Sequence, residues 1–276
     1  MSEHRAQVLE RWDAGPRMVG LRVRIDDGFV STGIGDEYLR LHLPDRTTTN
    51  GADGSPPVDA ATGYYTIRAW DAVTGLADIL FLRHGHGRAA AWAAAARPGA
   101  RFFASRQRSG YRPPADARRI LLLGDATALP AIARILELDP RPELSAVVQV
   151  EHAEEQGTAT RDPRVRWIVA AHRDRVLAGA LAARGVEDGD YTWFAGEAGE
   201  MRVVRRWLRH ERAVPAEGYL TMGYWRADSE RLIARMRALP PEAAHELEQI
   251  WASGLPGEEQ RDLADDAMVR WGMEER

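Results

Sequence analysis

Two strand-to-helix turns, a pair of adjacent tyrosines and a row of arginines are the residues of this chain whose types and spacing could do chemistry. In "LLLGDATALPAIARIL" a continuous apolar run ends at Gly124, Asp125 and Thr127 before a helical pattern begins, and "FAGEAGEM" repeats that grammar at Gly196, Glu197 and Ala198. In an open parallel sheet such turns fall at the carboxyl ends of the strands, where ligands bind. Neither is a Gly-x-Gly-x-x-Gly fingerprint or a Walker phosphate loop, and either alone is equally an ordinary turn. "HGHGR" ends at a helix start, where free backbone N–H groups and the helix dipole favour an anion. Arg202, Arg205, Arg206, Arg209 and Arg212 follow helical spacing and form one basic face. That face suits an anionic substrate or a cofactor phosphate, or it is solvated and pairs with glutamates of the tail. In "GYYTIRAWD", residues 63 to 71, successive strand side chains point to opposite faces, so only one of Tyr64 and Tyr65 can enter a core.

Composition removes several other chemistries. There is no cysteine, which excludes disulfides, thiolate metal sites, iron–sulfur clusters and cysteine nucleophiles. Any redox chemistry then needs a bound organic cofactor. All 37 basic residues are arginine, so a lysine Schiff base is excluded as well. The eight histidines show no His-x-x-x-His spacing, and there is no Gly-x-Ser-x-Gly elbow, so no metal site or hydrolase triad is expected. A net charge of −4 argues against nucleic acid as a partner. No apolar run approaches the roughly 20 residues that span a bilayer, and "MSEHRAQVLERWDAG" lacks the apolar core of a secretion signal. The chain is read as cytoplasmic, without a membrane partner.

The elements that must position these residues change character along the chain. Residues 17 to 43 give short alternating runs, "RMVGLRVRI", "FVSTGI" and "EYLRLHL", an antiparallel β pattern. "PDRTTTNGADGSPPVDAATG" reads as an irregular loop, followed by "GYYTIRAWD" and "ADILFLRHG" as strands and "RAAAWAAAAR" as a helix. After "SGYRPPADAR", apolar strands alternate with helices in the manner of a doubly wound α/β sheet. From residue 228 the chain reads as amphipathic helices, whose apolar faces must bury against the same chain or a second subunit. The fold expected is a β-barrel plus α/β: an N-terminal antiparallel barrel over residues 1–114, a parallel-sheet domain over 115–227 and a helical C-terminal tail over 228–276.

A barrel followed by a parallel α/β domain is the layout of flavin reductases of the ferredoxin-reductase type. The local segments "DEYLRLHLP", "YTIR", "HGHGRAAAW", "YRPPADARRILLLGDATALPAIARIL", "WFAGEAGEMRVVRRWLR" and "GYWR" resemble, in order and spacing, the siderophore-interacting proteins, FAD-dependent ferric-siderophore reductases. The resemblance implies FAD in the barrel, NADPH or NADH in the α/β domain, and a ferric siderophore as substrate. Its strand signature, Arg-x-Tyr-Thr-x-Arg, aligns with Tyr65, Thr66 and Arg68. It puts Tyr65 against the isoalloxazine ring, Thr66 at the flavin's reactive edge and Tyr64 into the barrel. It further implies that Gly85 and Gly87 receive the FAD pyrophosphate, with His84 beside the flavin and Trp92 in the family's tryptophan position. Gly124, Asp125, Thr127, Gly196 and Glu197 would then face the nicotinamide cofactor. Arg202, Arg205, Arg206 and Arg209 would attract the substrate.

The chain departs from the family pattern at Gly63, where the signature has an arginine that binds flavin phosphate, and at Ala126, where it usually has an acidic residue. "SRQRSG" replaces a Gly-Pro-Arg-Gly type turn, and the tail is longer. Losing a charged phosphate contact costs about 1.5 to 3 kcal/mol unless it is replaced. Arg106 or Arg108 could restore the charge from the neighbouring turn, and Arg88 adds another. The departures keep a second reading open: a secondary-metabolism enzyme, a cyclase or a reductase of an organic substrate, with weak, altered or absent use of FAD. A non-catalytic binding protein for a siderophore or small molecule is the third. The oligomeric state is not fixed by the sequence.

Overall fold

The first alternation of buried and exposed residues lies ahead of residue 17. In the computed structural model, which describes residues 3–26, 28–44, 60–83, 87–227 and 229–273, Glu3–Gly15 forms strand β1. His4, Ala6 and Val8 point inward and Glu3 and Arg5 outward, the period of two that a half-buried strand requires. β2 (Met18–Ile25), β3 (Tyr38–Leu43), β4 (Ala61–Asp71) and β5 (Leu76–Leu82) follow, then helix α1 (Arg88–Ala95) and β6 (Arg101–Arg108). All six strands pair antiparallel and close a barrel in the order β1-β2-β5-β4-β3-β6. Its core is Val8, Val19, Leu21, Leu39, Leu41, Ile67, Ile79, Phe81 and Phe102, with Trp92 of α1 packed edge-on against Phe102.

The run "FVSTGI" is not a strand. Its amides bond locally: Thr32 N–H donates to Glu37 Oε1 at 2.7 Å, Gly33 N–H to Ser31 Oγ and Ile34 N–H to Thr32 Oγ1. Short hydroxyl side chains thus satisfy donors that a ladder would otherwise use. Nor does "SRQR" turn: it continues β6 to Arg108.

Beyond the linker come β7 (Arg119–Asp125), α2 (Leu129–Leu138), β8 (Leu144–Val150), β9 (Val165–Val169), α3 (Val176–Arg184), β10 (Asp190–Glu197), α4 (Ala198–Arg206) and β11 (Tyr219–Trp225). They make a five-stranded sheet in the order β11-β10-β7-β8-β9, in which β10, β7, β8 and β9 are parallel. β7 is apolar from Ile120 to Gly124 because both of its faces are covered. Ile120 and Leu122 pack with α2 and with Met18 and Leu80 of the barrel, whereas Leu121 and Leu123 pack with Leu177, Leu181 and Val204 of α3 and α4.

Barrel and sheet lie in one compact unit that ends at Tyr224. Their seam is polar as well as apolar. Glu37 and Arg134 form a buried ion pair across it, and Arg134 also donates to the Ile67 carbonyl at 2.7 Å. The second unit runs from Trp225 and holds α5 (Ser229–Arg237), α6 (Pro241–Ala252) and α7 (Gly257–Arg270). Within it Glu246 of α6 accepts from Trp271 Nε1 at 2.7 Å and pairs with Arg270. Among the described residues no helix is long and apolar enough to cross a membrane.

Candidate functional site

The barrel strands β4, β3 and β6 bring three side chains into line. Thr66 stands opposite Tyr38, and Tyr38 opposite Arg108, so one rung of the ladder carries a hydroxyl, a phenol and a guanidinium. A bulge in β6 between the Tyr38 and Arg40 pairings aims Arg108 at this rung. With Tyr64 of β4 and Met222, Gly223 and Tyr224 of β11, these residues enclose a cavity of ≈320 Å³. Tyr64 is 57% exposed, and its ring meets Tyr38 edge to face at 5.6 Å.

The two tyrosines therefore face opposite to the expectation. Tyr64, expected inside the barrel, is a wall of the cavity. Tyr65 lies against Phe81 with ring centroids 4.4 Å apart, and burial pushes its phenol up to about 12. Tyr65 shares a face with Gly63: a Cβ there would fall 2.9 Å from Tyr65 Cε2, so the ring occupies the space over the glycine that replaces the signature's arginine.

The Tyr224 hydroxyl is buried beside Thr66, in loose contact with it but without a hydrogen bond of good geometry among the described residues. Burial raises its phenol far above the ordinary range. Burial also raises Tyr38, and Arg108 pulls the other way. A buried polar atom left unpaired costs free energy, so such an atom at a cavity wall marks where a partner belongs. Aromatic walls, two hydroxyls at one end and a cation fit a flat heteroaromatic ring with a polar edge, as in a flavin. They would fit a purely apolar ligand poorly.

The remaining predicted residues fall into separate groups. Arg68 sits at a bulge of β4 and is re-aimed to the seam, where it pairs with Glu137 at 2.5 and 2.7 Å and donates to the Ala159 carbonyl at 3.1 Å. Gly87 and Arg88 open α1; His84 and Gly85, and the side chain of Arg106, lie outside the described residues.

At the carboxyl edge of the sheet, Ala195 pairs with Gly124, so the turns after β7 and β10 lie side by side. A Cβ on Gly124 would fall 2.5 Å from Ala128 Cβ, and one on Gly196 2.9 Å from Asp125 Oδ2, so both glycines permit this approach. Asp125 Oδ1 accepts from Thr127 N–H at 2.8 Å and Oγ1 at 2.5 Å. Glu197 caps α4 by accepting from the Glu200 N–H at 3.0 Å. Glu200, which was not a candidate, is buried and accepts from the Leu177 and Ala178 amides of α3 at 2.8 and 3.0 Å. Burial pushes its carboxyl up, and the charges of Asp125 and Glu197 add to this.

The arginine row is not one face. Arg205 is only 4% exposed while Arg206 points to solvent, and from Trp207 to Glu211 the backbone takes a π turn that breaks the helical phase. Arg202, Arg205 and Arg209 each have interaction partners already. Tyr38, Tyr64, Met222, Gly223 and Tyr224 line the cavity without having been candidates.

Comparison with known proteins bears on the barrel and the sheet separately. Residues 15–103 match the siderophore-interacting FAD-binding domain, and residues 117–228 match the siderophore-interacting protein family. The chain belongs to the siderophore-interacting protein family. The crystal structure of a siderophore utilization protein from T. fusca is 26% identical, with a TM-score of 0.68 over 82% of this chain and 94% of that one. Among curated relatives, the mycobactin import ATP-binding/permease protein IrtA of Mycolicibacterium smegmatis is 28% identical over 81% of this chain. The chain spans only 26% of the length of that relative. The NADPH-dependent ferric-chelate reductase of Escherichia coli K12 is 27% identical over 79% of this chain and 90% of its own length.

Proposed function

We propose that this siderophore-interacting protein is an FAD-dependent reductase that takes electrons from NADH or NADPH and delivers them to a ferric siderophore. The observation that carries the reading is the cavity at the Thr66–Tyr38–Arg108 rung, with its unpaired Tyr224 hydroxyl, bordered on the barrel side by residues of the stretch that matches an FAD-binding domain. A bound flavin supplies the ability to accept a hydride and release single electrons. The chain's own residues orient and enclose it. Tyr64, Tyr38 and Tyr224 offer aromatic faces, Thr66 and Tyr224 offer hydroxyls to a polar edge, and Arg108 offers a positive charge to a phosphate or an electron-rich carbonyl. No side chain has to act as nucleophile. The ferric ion is the substrate, and its release follows reduction, because ferrous iron binds hard oxygen ligands less tightly.

The dinucleotide fits the carboxyl edge of the sheet, where Asp125, Thr127, Gly196 and Glu197 gather at the reversal of strand order between β7 and β10. This placement would set the nicotinamide donor and the Thr66 cavity within one unit. On this reading the division of labour falls between a flavin domain up to residue 114 and a nicotinamide domain up to residue 227.

The deciding experiment is the absorbance of the purified protein before and after addition of FAD, followed by anaerobic mixing with NADH, NADPH and a ferric chelate in the presence of a ferrous-specific dye. Stoichiometric yellow protein that bleaches with a dihydronicotinamide and generates ferrous iron is the expected result. A colourless chain that takes up no FAD would sink the proposal.

A further inference from the structure

Asp36 is a fully buried carboxylate outside the lining of the cavity. It stands in the turn before β3, and its oxygens accept from the Gly110 backbone N–H at 3.0 and 3.1 Å and from Trp193 Nε1 at 3.2 Å. One side chain thus gathers a barrel turn, the linker and β10. Both partners donate and both are neutral, and an ionised carboxylate is an acceptor only. The cation that feels this charge, Arg134, is already paired with Glu37, so the two carboxylates together outweigh it and keep a negative field that extends beyond their contacts.

Two walls of the cavity feel that field. Tyr38 lies two residues along the chain, and Tyr224 lies on β11, the neighbour of the strand whose Trp193 holds the carboxylate; burial is the main cause of their raised phenols, and the negative charge of Asp36 adds to both. Arg108 is the opposing charge, on the cavity wall itself.

We infer that Asp36 is a fixed negative charge behind the Thr66–Tyr224 cavity, and that it lowers the reduction potential of a flavin held there. The inference rests on the flavin reading above. Uptake of two electrons and one proton adds a negative charge to a flavin ring, and a nearby carboxylate in a poorly hydrated setting opposes that change. Hard oxygen ligands favour ferric over ferrous iron, so a siderophore is a reluctant electron acceptor and needs a strong reductant. Asp36 therefore pushes the cofactor toward the potential that the proposed substrate demands.

The test is the midpoint potential of the FAD-loaded full chain, measured against reference dyes, for the native protein, Asp36→Asn and Trp193→Phe. The second variant removes a donor to the carboxylate and keeps the charge. The expected result is a positive shift for Asp36→Asn, equivalent to reduced flavin gaining about fivefold or more in affinity over oxidised flavin, with Trp193→Phe close to native. If the Asn variant does not fold, Asp36→Ser, small and uncharged, carries the same comparison. An unchanged potential on loss of the charge overturns the inference while the flavin reading stands, and equal shifts in Asp36→Asn and Trp193→Phe overturn it in favour of packing. A native chain that takes up no flavin overturns both.

Discussion

The cavity beside β11 and the crevice at the carboxyl edge of the sheet treat their polar groups in opposite ways. In the crevice Asp125, Glu197 and Glu200 already accept from amides and a hydroxyl of the same chain, tying the starts of α3 and α4 together. In the cavity the Tyr224 hydroxyl is left without a partner and Tyr64 is largely exposed. A region whose polar groups are satisfied internally is part of the scaffold with or without a ligand. One that leaves them unsatisfied has given up a little stability for something it binds. Substitutions in the two regions should accordingly separate stability from affinity.

The largest effect is expected where the barrel core meets that division. Tyr65→Ala removes a ring packed on Phe81 and should cost about 3 kcal/mol of stability by urea unfolding, whereas Tyr64→Ala should unfold close to native. A reversed order would mean that Tyr65 and not Tyr64 is the exposed wall. Next is Glu200→Ala, which strands two buried amides of α3 and should cost about 2 kcal/mol.

Glu200 also carries a pH signature. Its carboxyl is raised in the folded chain from an ordinary value of 4.5, so the folded state holds that proton more tightly than the unfolded state. The stability it contributes should rise as the pH falls through the raised value toward 4.5, and Glu200→Gln should remove that rise in unfolding curves taken across the interval. A native-like pH profile in the Gln variant would assign the dependence to another group.

Smaller effects belong to the cavity. Tyr64→Ala should weaken FAD binding about tenfold, followed by flavin fluorescence, and an unchanged affinity would move the ring elsewhere. Smallest is Tyr224→Phe. Deleting an unpaired buried hydroxyl should leave the melting temperature of the flavin-free protein unchanged or slightly higher, while FAD affinity falls about fivefold. A clear loss of stability would mean that the hydroxyl has a partner in the free protein.

The architecture is legible in the sequence where one pattern dominates. β7 reads as a continuous apolar run because two layers cover it, and β3 and the second half of β2 alternate because one face is wet. β1 escapes notice because its inward residues begin with His4 and Ala6, too weakly apolar to stand out from Glu3, Arg5 and Gln7. The strand expected over "FVSTGI" fails because Ser31, Thr32 and Glu37 offer closer partners than a neighbouring strand. Of the cavity's lining, Thr66 and Arg108 are candidates from the sequence alone, since they sit in or near a signature. The phase of the tyrosines depends on the register of β4 against β3, and Tyr224 comes into play only because the sheet's edge strand passes the barrel. Neither fact is local. The arginine row looks continuous only while its helix is assumed to keep its pitch.

Closure of the barrel by β1 has a practical side. The stretch that matches the FAD-binding domain begins at residue 15, while β1 pairs with β2 on one side and β6 on the other from residue 3. A fragment cut at the limits of the match would therefore begin as an opened cylinder with two bare strand edges. Bare edges recruit other edges, so such a fragment, which also cuts β6 after its third residue, should aggregate through them, however well its four whole strands are packed.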